Sequence, residues 1–286
     1  MLDGTNPGSN AEQASGTIVI NSPDGLSSLQ VQDVNGNWID VTNGGVVQGQ
    51  YGVLTVSAGG AWTYALTDNT FDHTNPNASG AADQVGESFF VRMFDLDGDV
   101  SPTVQLNVQV NDDNPEVGLG QGEFSALVVD ETGLGLTDTG NFAGAFQASL
   151  GADGGVVAYS LEIKSLDSGL RDVATGAVIE LHLVNGTIQG WVGGNPAVVA
   201  FTAEVNASGD LSLTQLRAMQ HPDTSDNDEP LAVAGGVIRL VAIATDGDGD
   251  TASASLDLGG LLIFRDDGPT LTADDDATSV IEGQTT

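Results

Sequence analysis

Two clusters of closely spaced aspartates constrain this chain more than any other feature. One cluster, Asp95-Leu96-Asp97-Gly98-Asp99, leads into a strand-like segment that ends at Asp112-Asp113-Asn114-Pro115. The other, Asp246-Gly247-Asp248-Gly249-Asp250, leads into a segment that ends at Asp266-Asp267-Gly268-Pro269. Carboxylates this dense repel one another unless a hard cation lies among them, and ligand sets made only of oxygen suit Ca²⁺. The repetition predicts a tandem array of β-domains with calcium at the joints.

The composition excludes several classes of protein. Asp and Glu number 40 against 6 Lys and Arg, and the formal net charge of −34 would repel nucleic acid and anionic membrane surfaces. Hydrophobic residues make up 40% and alternate in strand-like runs, which argues against disorder. The chain has no cysteine, no apolar run that could span a bilayer and no signal-peptide pattern. Because Met1 opens a stretch rich in Gly, Asn and Ser, we expect an internal piece of a longer protein without membrane insertion of its own.

The apolar pattern predicts an all-β fold of tandem Ig-like β-sandwich domains. Residues 1–15 are expected to be a leader or the remnant of a preceding domain, residues 16–113 a first sandwich, residues 114–268 a larger second sandwich, and residues 269–286 a linker and the start of a following domain. A glycine-containing turn between Tyr51–Val56 and Ala61–Leu66 predicts a hairpin. The other strands predicted in the first sandwich are Thr17–Ile20, Leu29–Val34, Trp38–Val41, Phe89–Phe94 and Thr103–Val110.

The second sandwich is predicted to contain one helix among its strands. Leu211–Met219 places apolar residues near helical spacing and predicts that short helix, and the acidic stretch after it, residues 221–230, is interpreted as a loop. The tryptophans Trp38, Trp62 and Trp191 lie in predicted strands and are interpreted as core residues. The strands predicted here are Leu127–Val129, Val156–Ile163, Ala177–Val184, Thr187–Val192, Val198–Val205, Val237–Ala244 and Ala252–Phe264.

The strand lengths predict where the acidic residues lie. The segment from Ser101 to Asn111 spans about 35 Å when extended, so the first cluster cannot share an ion with Asp112. Each Asp-Gly turn is expected at the amino-terminal pole of its own domain, and each Asp-Asp-Pro segment at the opposite pole. The turn of the second domain should therefore meet the end of the first, and Asp130 and Glu131 are expected to join it. The predicted calcium ligands are Asp95, Asp97, Asp99, Asp112, Asp113, Asp130, Glu131, Asp246, Asp248, Asp250, Asp266 and Asp267.

Two alternatives compete with a calcium site of this kind. Asp-Gly is common in hairpin turns, so a single cluster could reflect turn chemistry alone. An EF-hand loop also begins Asp-x-Asp-x-Asp, but it requires Glu at loop position 12 and a helix on each side. Leu106 and Asp257 occupy those positions, and strands are predicted on both flanks, which rejects an EF-hand.

The motifs resemble two families of repeats from bacterial surface proteins. The segments Gln50–Val56, Gly59–Tyr64, Glu87–Phe90 and Asp95–Asp99 resemble the VCBS-type repeat, with Gly59 where that family usually has Asp. The second domain, from Val129-Asp130-Glu131-Thr132 to Asp266-Asp267-Gly268-Pro269, resembles the repeat of RTX adhesins that are exported by type I secretion. The segment around Asp112 is also similar to the cadherin linker, a local likeness.

The resemblance implies an extracellular extender on a bacterial cell surface, rigidified by Ca²⁺ and active in attachment and biofilm formation. Its expected partners are neighbouring domains of the same adhesin. The alternative is that the second domain itself binds glycans or peptides through calcium held by the loop 221–230, which could equally be a solvated acidic turn. The histidines His73, His182 and His221 fall in no catalytic motif, so we expect no enzymatic activity.

Overall fold

The structure, a computed structural model, describes residues 12–67, 73, 75, 78–152, 154–269 and 271–272. Over these residues the chain forms 22 β-strands and two 3₁₀ turns, Glu131–Gly133 and Ala143–Ala145, and it contains no α-helix. The all-β prediction is confirmed. In the same part of the chain, no helical segment has the length and apolar character needed to cross a membrane.

The first eight strands form two antiparallel sheets of four strands each, with the orders β1-β6-β5-β4 and β3-β2-β7-β8. The predicted hairpin is present as β5 paired with β6. The strands are β1 (Gln13–Thr17), β2 (Leu26–Gln32), β3 (Trp38–Asp40), β4 (Gly45–Gln48), β5 (Gly52–Val56), β6 (Ala61–Leu66), β7 (Gly80–Asp95) and β8 (Val104–Asp112).

The two sheets of this first sandwich enclose one apolar core because alternate residues of each strand point inward. Phe89 and Val91 of β7 are almost fully buried, as are Leu54 and Val56 of β5 in the opposite sheet. Glu87 is also buried here, and it accepts hydrogen bonds from the Tyr64 hydroxyl at 2.6 Å and from the backbone N–H of Gln50. This carboxylate therefore ties the turn before β5 to the core.

The remaining strands form the second sandwich around a separate and larger core. They pair in sheets with the orders β11-β18-β17-β16-β15-β14, β13-β20-β21, β10-β22-β19 and β12-β9. The strands are β9 (Glu116–Leu119), β10 (Leu127–Asp130), β11 (Thr137–Asn141), β12 (Phe146–Ser149), β13 (Gly155–Ile163), β14 (Asp167–Arg171), β15 (Val178–Val184), β16 (Thr187–Val192), β17 (Val199–Val205), β18 (Asp210–Gln215), β19 (Pro230–Ala232), β20 (Ile238–Asp246), β21 (Thr251–Asp257) and β22 (Leu262–Arg265).

The predicted helix Leu211–Met219 is wrong. Its first part is β18, which pairs antiparallel with β17 and β11, and its buried residues follow a period of two. Leu211, Leu213 and Gln215 point into the core, and the residues between them point outward. The apolar spacing of this segment is compatible with a strand as well as with a helix. It forms a strand because it can pair with β17 on one side and β11 on the other.

The predicted strand Ala252–Phe264 is two strands in two different sheets. β21 ends at Asp257, and a turn that contains Gly260 at φ 79° redirects the chain into β22. At the amino terminus, β1 begins at Gln13, within the segment expected to precede the first sandwich, and ends at Thr17 instead of continuing to Ile20. The predicted start of a following domain, residues 273–286, lies outside the described residues.

The tryptophans divide between core and surface. Trp62 packs against the core of the first sandwich, as predicted. Trp38 instead lies on the outer face under the Arg92 guanidinium, whose central carbon is 3.9 Å from the ring centroid. Trp191 stacks on His182 with a centroid distance of 3.9 Å. The core interpretation is therefore wrong for Trp38 and Trp191.

Candidate metal centre

The turn between β20 and β21 gathers three carboxylates. Asp246 Oδ1 accepts hydrogen bonds from the backbone N–H groups of Gly249 at 3.1 Å and Asp250 at 2.7 Å, which folds the turn tightly. Gly249 has φ 107°, a left-handed conformation that favours glycine. One carboxylate oxygen from each of Asp246, Asp248 and Asp250 lies within 4.8 Å of the others, and Asp246 and Asp250 are only 6% and 2% exposed.

The turn between β7 and β8 repeats this geometry in an exposed setting. Asp95 Oδ1 accepts from the backbone N–H groups of Gly98 at 3.0 Å and Asp99 at 2.8 Å. Carboxylate oxygens of Asp95, Asp97 and Asp24 lie within 4.8 Å of one another. A hydrogen bond between the Asp95 and Asp97 side chains lowers the pKa of the first and raises that of the second. Asp24 was not among the predicted ligands.

The last strand of the first sandwich brings Asp112 to the turn of the second. Asp112 pairs with Gly80 at one end of β7 while Asp95 ends the other, as the strand length predicts. Burial raises the pKa of Asp112 from 3.8 to about 7, and the negative charges of Asp248 and then Asp250 add to the rise. Asp112 therefore lies among the carboxylates of the second turn.

Asn114 forms a second contact between the two sandwiches. One end of its side-chain amide lies 3.1 Å from Asp112 Oδ2 and 2.5 Å from Asp250 Oδ2, and the other end lies 3.2 Å from Ser79 Oγ. If the NH₂ group faces the carboxylates, it donates to both of them. If the oxygen faces them, three oxygens converge, and that arrangement becomes favourable when a cation binds there or when a carboxyl is protonated. The sequence motif contained Asn114, but only carboxylates were predicted as ligands.

The donor set at this joint fits a hard cation. Four carboxylates and one amide come from both sides of the joint, and all of them offer oxygen. Ca²⁺ takes six to eight oxygen ligands, with carboxylates binding through one or both oxygens and water completing the shell. The second predicted linker acid, Asp113, donates its backbone N–H to Asp112 Oδ1 at 2.9 Å. We call the set Asp112, Asn114, Asp246, Asp248 and Asp250 the joint cluster.

Asp130 and Glu131 do not join this cluster, which corrects the expectation for both. β10 pairs in parallel with β22, so Asp130 lies opposite Arg265. Arg265 ends β22, which follows β21 and lies at the end of the domain away from the Asp250 turn. Glu131 accepts hydrogen bonds from the backbone N–H of Met219 at 2.6 Å and from the Gln215 side chain at 3.3 Å. Both residues belong to the opposite pole of the second sandwich.

That opposite pole carries a second group of acids, around the outgoing linker. Arg265 forms an ion pair with Asp228 at 2.7 Å, and the backbone N–H of Asp266 donates to the Glu229 carbonyl at 3.2 Å. Asp267 donates its backbone N–H to Asp266 Oδ1 at 3.0 Å, the same arrangement as in the pair Asp112 and Asp113. The acidic loop 221–230 therefore lies against the linker that leaves the domain.

The histidines lie in three separate surroundings. His73 Nδ1 is 3.7 Å from Asp83, and His182 Nε2 is 3.8 Å from Glu180. The side chain of His221 is buried, with Nε2 3.5 Å from a carboxylate oxygen of Glu131. Over the described part of the chain, the acidic groups with the spacing of metal ligands include no histidine.

One family model matches part of the chain. Residues 126–259 match a family described as a domain of unknown function, DUF5801. Among solved structures, the chain is similar to the "tetra-tandem repeat in extending region of large adhesion protein", with 19% identity over 86% of this chain and 45% of that one. The TM-score of 0.19 is too low for this likeness to carry an argument about the chain. No curated protein matches the chain.

Proposed function

We propose that this chain is an extender segment of a large bacterial surface adhesin, and that Ca²⁺ bound at the joint cluster holds its two sandwiches in a fixed relative orientation. The observation that carries the proposal is the position of Asp112, which comes from one sandwich and lies among Asp248 and Asp250 of the other. Carboxylates held this close in a partly buried site repel one another, and a divalent cation among them would replace that repulsion with attraction.

Calcium suits this site better than the other common divalent ions. The ligands are carboxylate and amide oxygens, whereas zinc and copper sites are usually built with nitrogen or sulfur. Magnesium demands near-ideal octahedral geometry and gives up its water reluctantly, which a crowded joint of five side chains opposes. Extracellular calcium modules bind at 10⁻⁴–10⁻³ M, so the ion would be bound outside the cell.

The two remaining acidic poles would serve as further joints of the same kind. The grouped carboxylates Asp24, Asp95 and Asp97, with Asp99 in the same turn, would meet the end of a preceding domain, and Asp266 and Asp267 would meet the turn of a following one. The contacts of the loop 221–230 with Arg265 and Asp266 favour a role at the second joint over the alternative of a separate calcium-dependent ligand site. The segment would act as a non-catalytic, extracellular rod, exported by type I secretion, that projects binding domains for surface attachment and biofilm formation.

A calcium titration of the whole chain tests the proposal. We expect thermal unfolding to shift upward by several degrees at millimolar Ca²⁺, with a much smaller effect of Mg²⁺, because ligand binding to the folded state stabilises it by mass action. Asp112→Asn and Asp248→Asn should each lower the calcium affinity measured by calorimetry at least tenfold.

The matched control for these variants is Asp210→Asn. Asp210 accepts hydrogen bonds from the Asn141 and Asn206 side chains at a hairpin of the second sandwich, so its replacement should leave calcium affinity unchanged. Equal loss in the control and in Asp112→Asn, or no calcium binding by the unmodified chain, would refute the metal assignment.

A further inference from the structure

The outer face of the six-stranded sheet carries an ordered row of polar side chains. Across five adjacent strands the register aligns one outward residue from each, which we call the polar row. All of these side chains are exposed or half-buried, and on the three central strands β18, β17 and β16 the residues on either side of them are buried. The polar row consists of Thr137, Thr214, Thr202, Gln189 and His182.

The polar row contains no carboxylate and crosses five hydrogen-bonded strands. Neighbouring strands lie about 4.8 Å apart, so its four gaps span about 19 Å, the length of a short oligosaccharide. The hydroxyls of Thr137 and Thr214 are hydrogen-bonded at 2.7 Å, and those of Thr139 and Ser212 in the next row at 3.0 Å. These bonds hold hydroxyl groups in fixed directions along the sheet.

An aromatic platform stands at the end of the polar row. The Trp191 indole stacks on the His182 ring at 3.9 Å with the two planes 16° apart. Its N–H donates to the Gln189 side chain at 2.9 Å, so two members of the polar row fix the orientation of the indole. Trp191 is half-buried, so a large ring is held in place on a face that water reaches. Fixed aromatic surface beside a few oriented polar groups is typical of ligand sites.

We propose that this face binds a neutral polysaccharide, with one sugar ring on Trp191 and the following hydroxyls along the polar row. Charge decides the class of ligand. A chain with net charge −34 repels polyanions, including acidic polysaccharides and nucleic acid. Glu180 lies beside Trp191, and Glu204 lies in the row next to the polar row. These two carboxylates can accept hydrogen bonds from sugar hydroxyls and would oppose a carboxylated sugar.

The test is a binding screen of the whole chain against immobilised neutral polysaccharides, namely β-glucan, mannan, galactan and dextran, with alginate and hyaluronan as acidic counterparts. The screen is run in calcium and in EDTA because the polar row requires no metal. We expect binding to at least one neutral polysaccharide under both conditions and none to the acidic ones. The calcium arm also separates this inference from the joint proposal, which can fail without affecting it.

Two variants locate the binding on the sheet. Trp191→Ala should weaken binding by about tenfold or more, since the loss of an aromatic contact of this kind corresponds to that factor. Thr202→Val keeps the shape and removes one hydroxyl, so it tests the polar row if the first variant unfolds. Phe90→Ala, which removes an exposed aromatic residue from the first sandwich, is the control and should bind normally.

Four binding results would overturn the inference. They are no binding to any neutral polysaccharide, binding abolished by EDTA, binding to the acidic polysaccharides alone, and a Trp191→Ala loss matched by Phe90→Ala. Sedimentation gives an independent check. Self-association that Trp191→Ala abolishes would assign this face to a second copy of the chain and would likewise overturn it.

Discussion

Asp112 shows how one residue comes to be shared by two domains. It is the last residue of β8, so its position is fixed by the sheet of the first sandwich. Pro115, three residues later, is buried, and β9 then pairs with β12 in the second sandwich. The carboxylate therefore sits at the boundary of two cores, where burial and the turn at Asp248 both disfavour its charge.

The raised pKa of Asp112 predicts the pH dependence of the metal-free protein. Its pKa is about 7 in the folded state against 3.8 ordinarily, so between these pH values the folded state binds a proton that the unfolded state does not. The contribution to stability is complete below pH 3.8 and is lost as the pH rises through about 7. In EDTA, we expect the free energy of unfolding to be lower at pH 8 than at pH 5 because Asp112 is then charged in the folded state.

The same measurement on Asp112→Asn isolates this effect, because the variant has no carboxyl to titrate. We expect its stability to change less between the two pH values than that of the unmodified chain. Saturating calcium should also reverse the loss at pH 8 in the unmodified chain alone. An identical pH profile for the two proteins would contradict the position given to Asp112.

Asn114→Asp distinguishes the two orientations of the Asn114 amide. If the amide oxygen is a calcium ligand, the added carboxylate should preserve or strengthen calcium binding while it destabilises the metal-free protein. If the NH₂ group bridges Asp112 and Asp250, the variant loses that hydrogen-bond donor and places a fifth carboxylate beside the other two. The joint is then expected to be disrupted and calcium binding to weaken. Calorimetry in calcium and thermal unfolding in EDTA measure the two effects. Weaker calcium binding in the variant would favour the bridging amide.

The sequence predicted the separation of two acidic groups because the length of the strand between them follows directly from the sequence. The separation of Asp95 from Asp112 follows from strand length alone. Asp24 was missed because its approach to Asp95 depends on the pairing of β2 with β7, where Leu26 lies opposite Asp95. Asp130 was placed at the wrong pole because the parallel pairing of β10 with β22 leaves no local signal.

At the scale of single elements, apolar alternation identified most strands, but it missed those with few apolar residues and did not separate β18 from a helix. β11, for example, has the sequence Thr-Asp-Thr-Gly-Asn, which has no apolar residue to reveal a buried face. It forms a strand because it pairs with β18, which is distant in the sequence. Pairing of this kind depends on the tertiary fold and leaves no local sequence pattern. The unpredicted strands are β4, β9, β11, β12, β14, β18 and β19.

Core substitutions in β18 test its assignment as a strand. Leu213 is fully buried, so Leu213→Ala should lower the free energy of unfolding by about 2–4 kcal/mol. Ser212 points outward, and Ser212→Ala should change it by less than about 0.5 kcal/mol. Denaturant unfolding of the second sandwich measures both. Comparable losses in the two variants would contradict the alternation.

Gly190 of β16 shows how closely the core of the second sandwich is packed. A Cβ atom on Gly190 would lie 2.4 Å from the ring of Phe201, which pairs with it across β16 and β17. The aromatic ring therefore fills the space that a side chain at position 190 would take. This close approach explains a glycine in the middle of a strand that is otherwise rich in β-formers.

At the scale of the whole molecule, the two cores are separate, and the described contacts between the sandwiches include those of Asp112 and Asn114. The stability of each sandwich rests on its own apolar core, whereas in our proposal their relative orientation depends on the joint cluster. Removal of the cation should therefore loosen the joint before it unfolds either sandwich. The Ig-like topology and the domain boundaries remain predictions.

Distance measurement across the joint tests this account most directly. The chain has no cysteine, so spin labels can be placed at Gln105→Cys and Thr139→Cys, exposed positions on the two sandwiches. Double electron–electron resonance should give a narrow distance distribution in calcium, a broad one in EDTA, and a broad one in both for Asp112→Asn. Distributions of equal width with and without calcium in the unmodified chain would contradict the account.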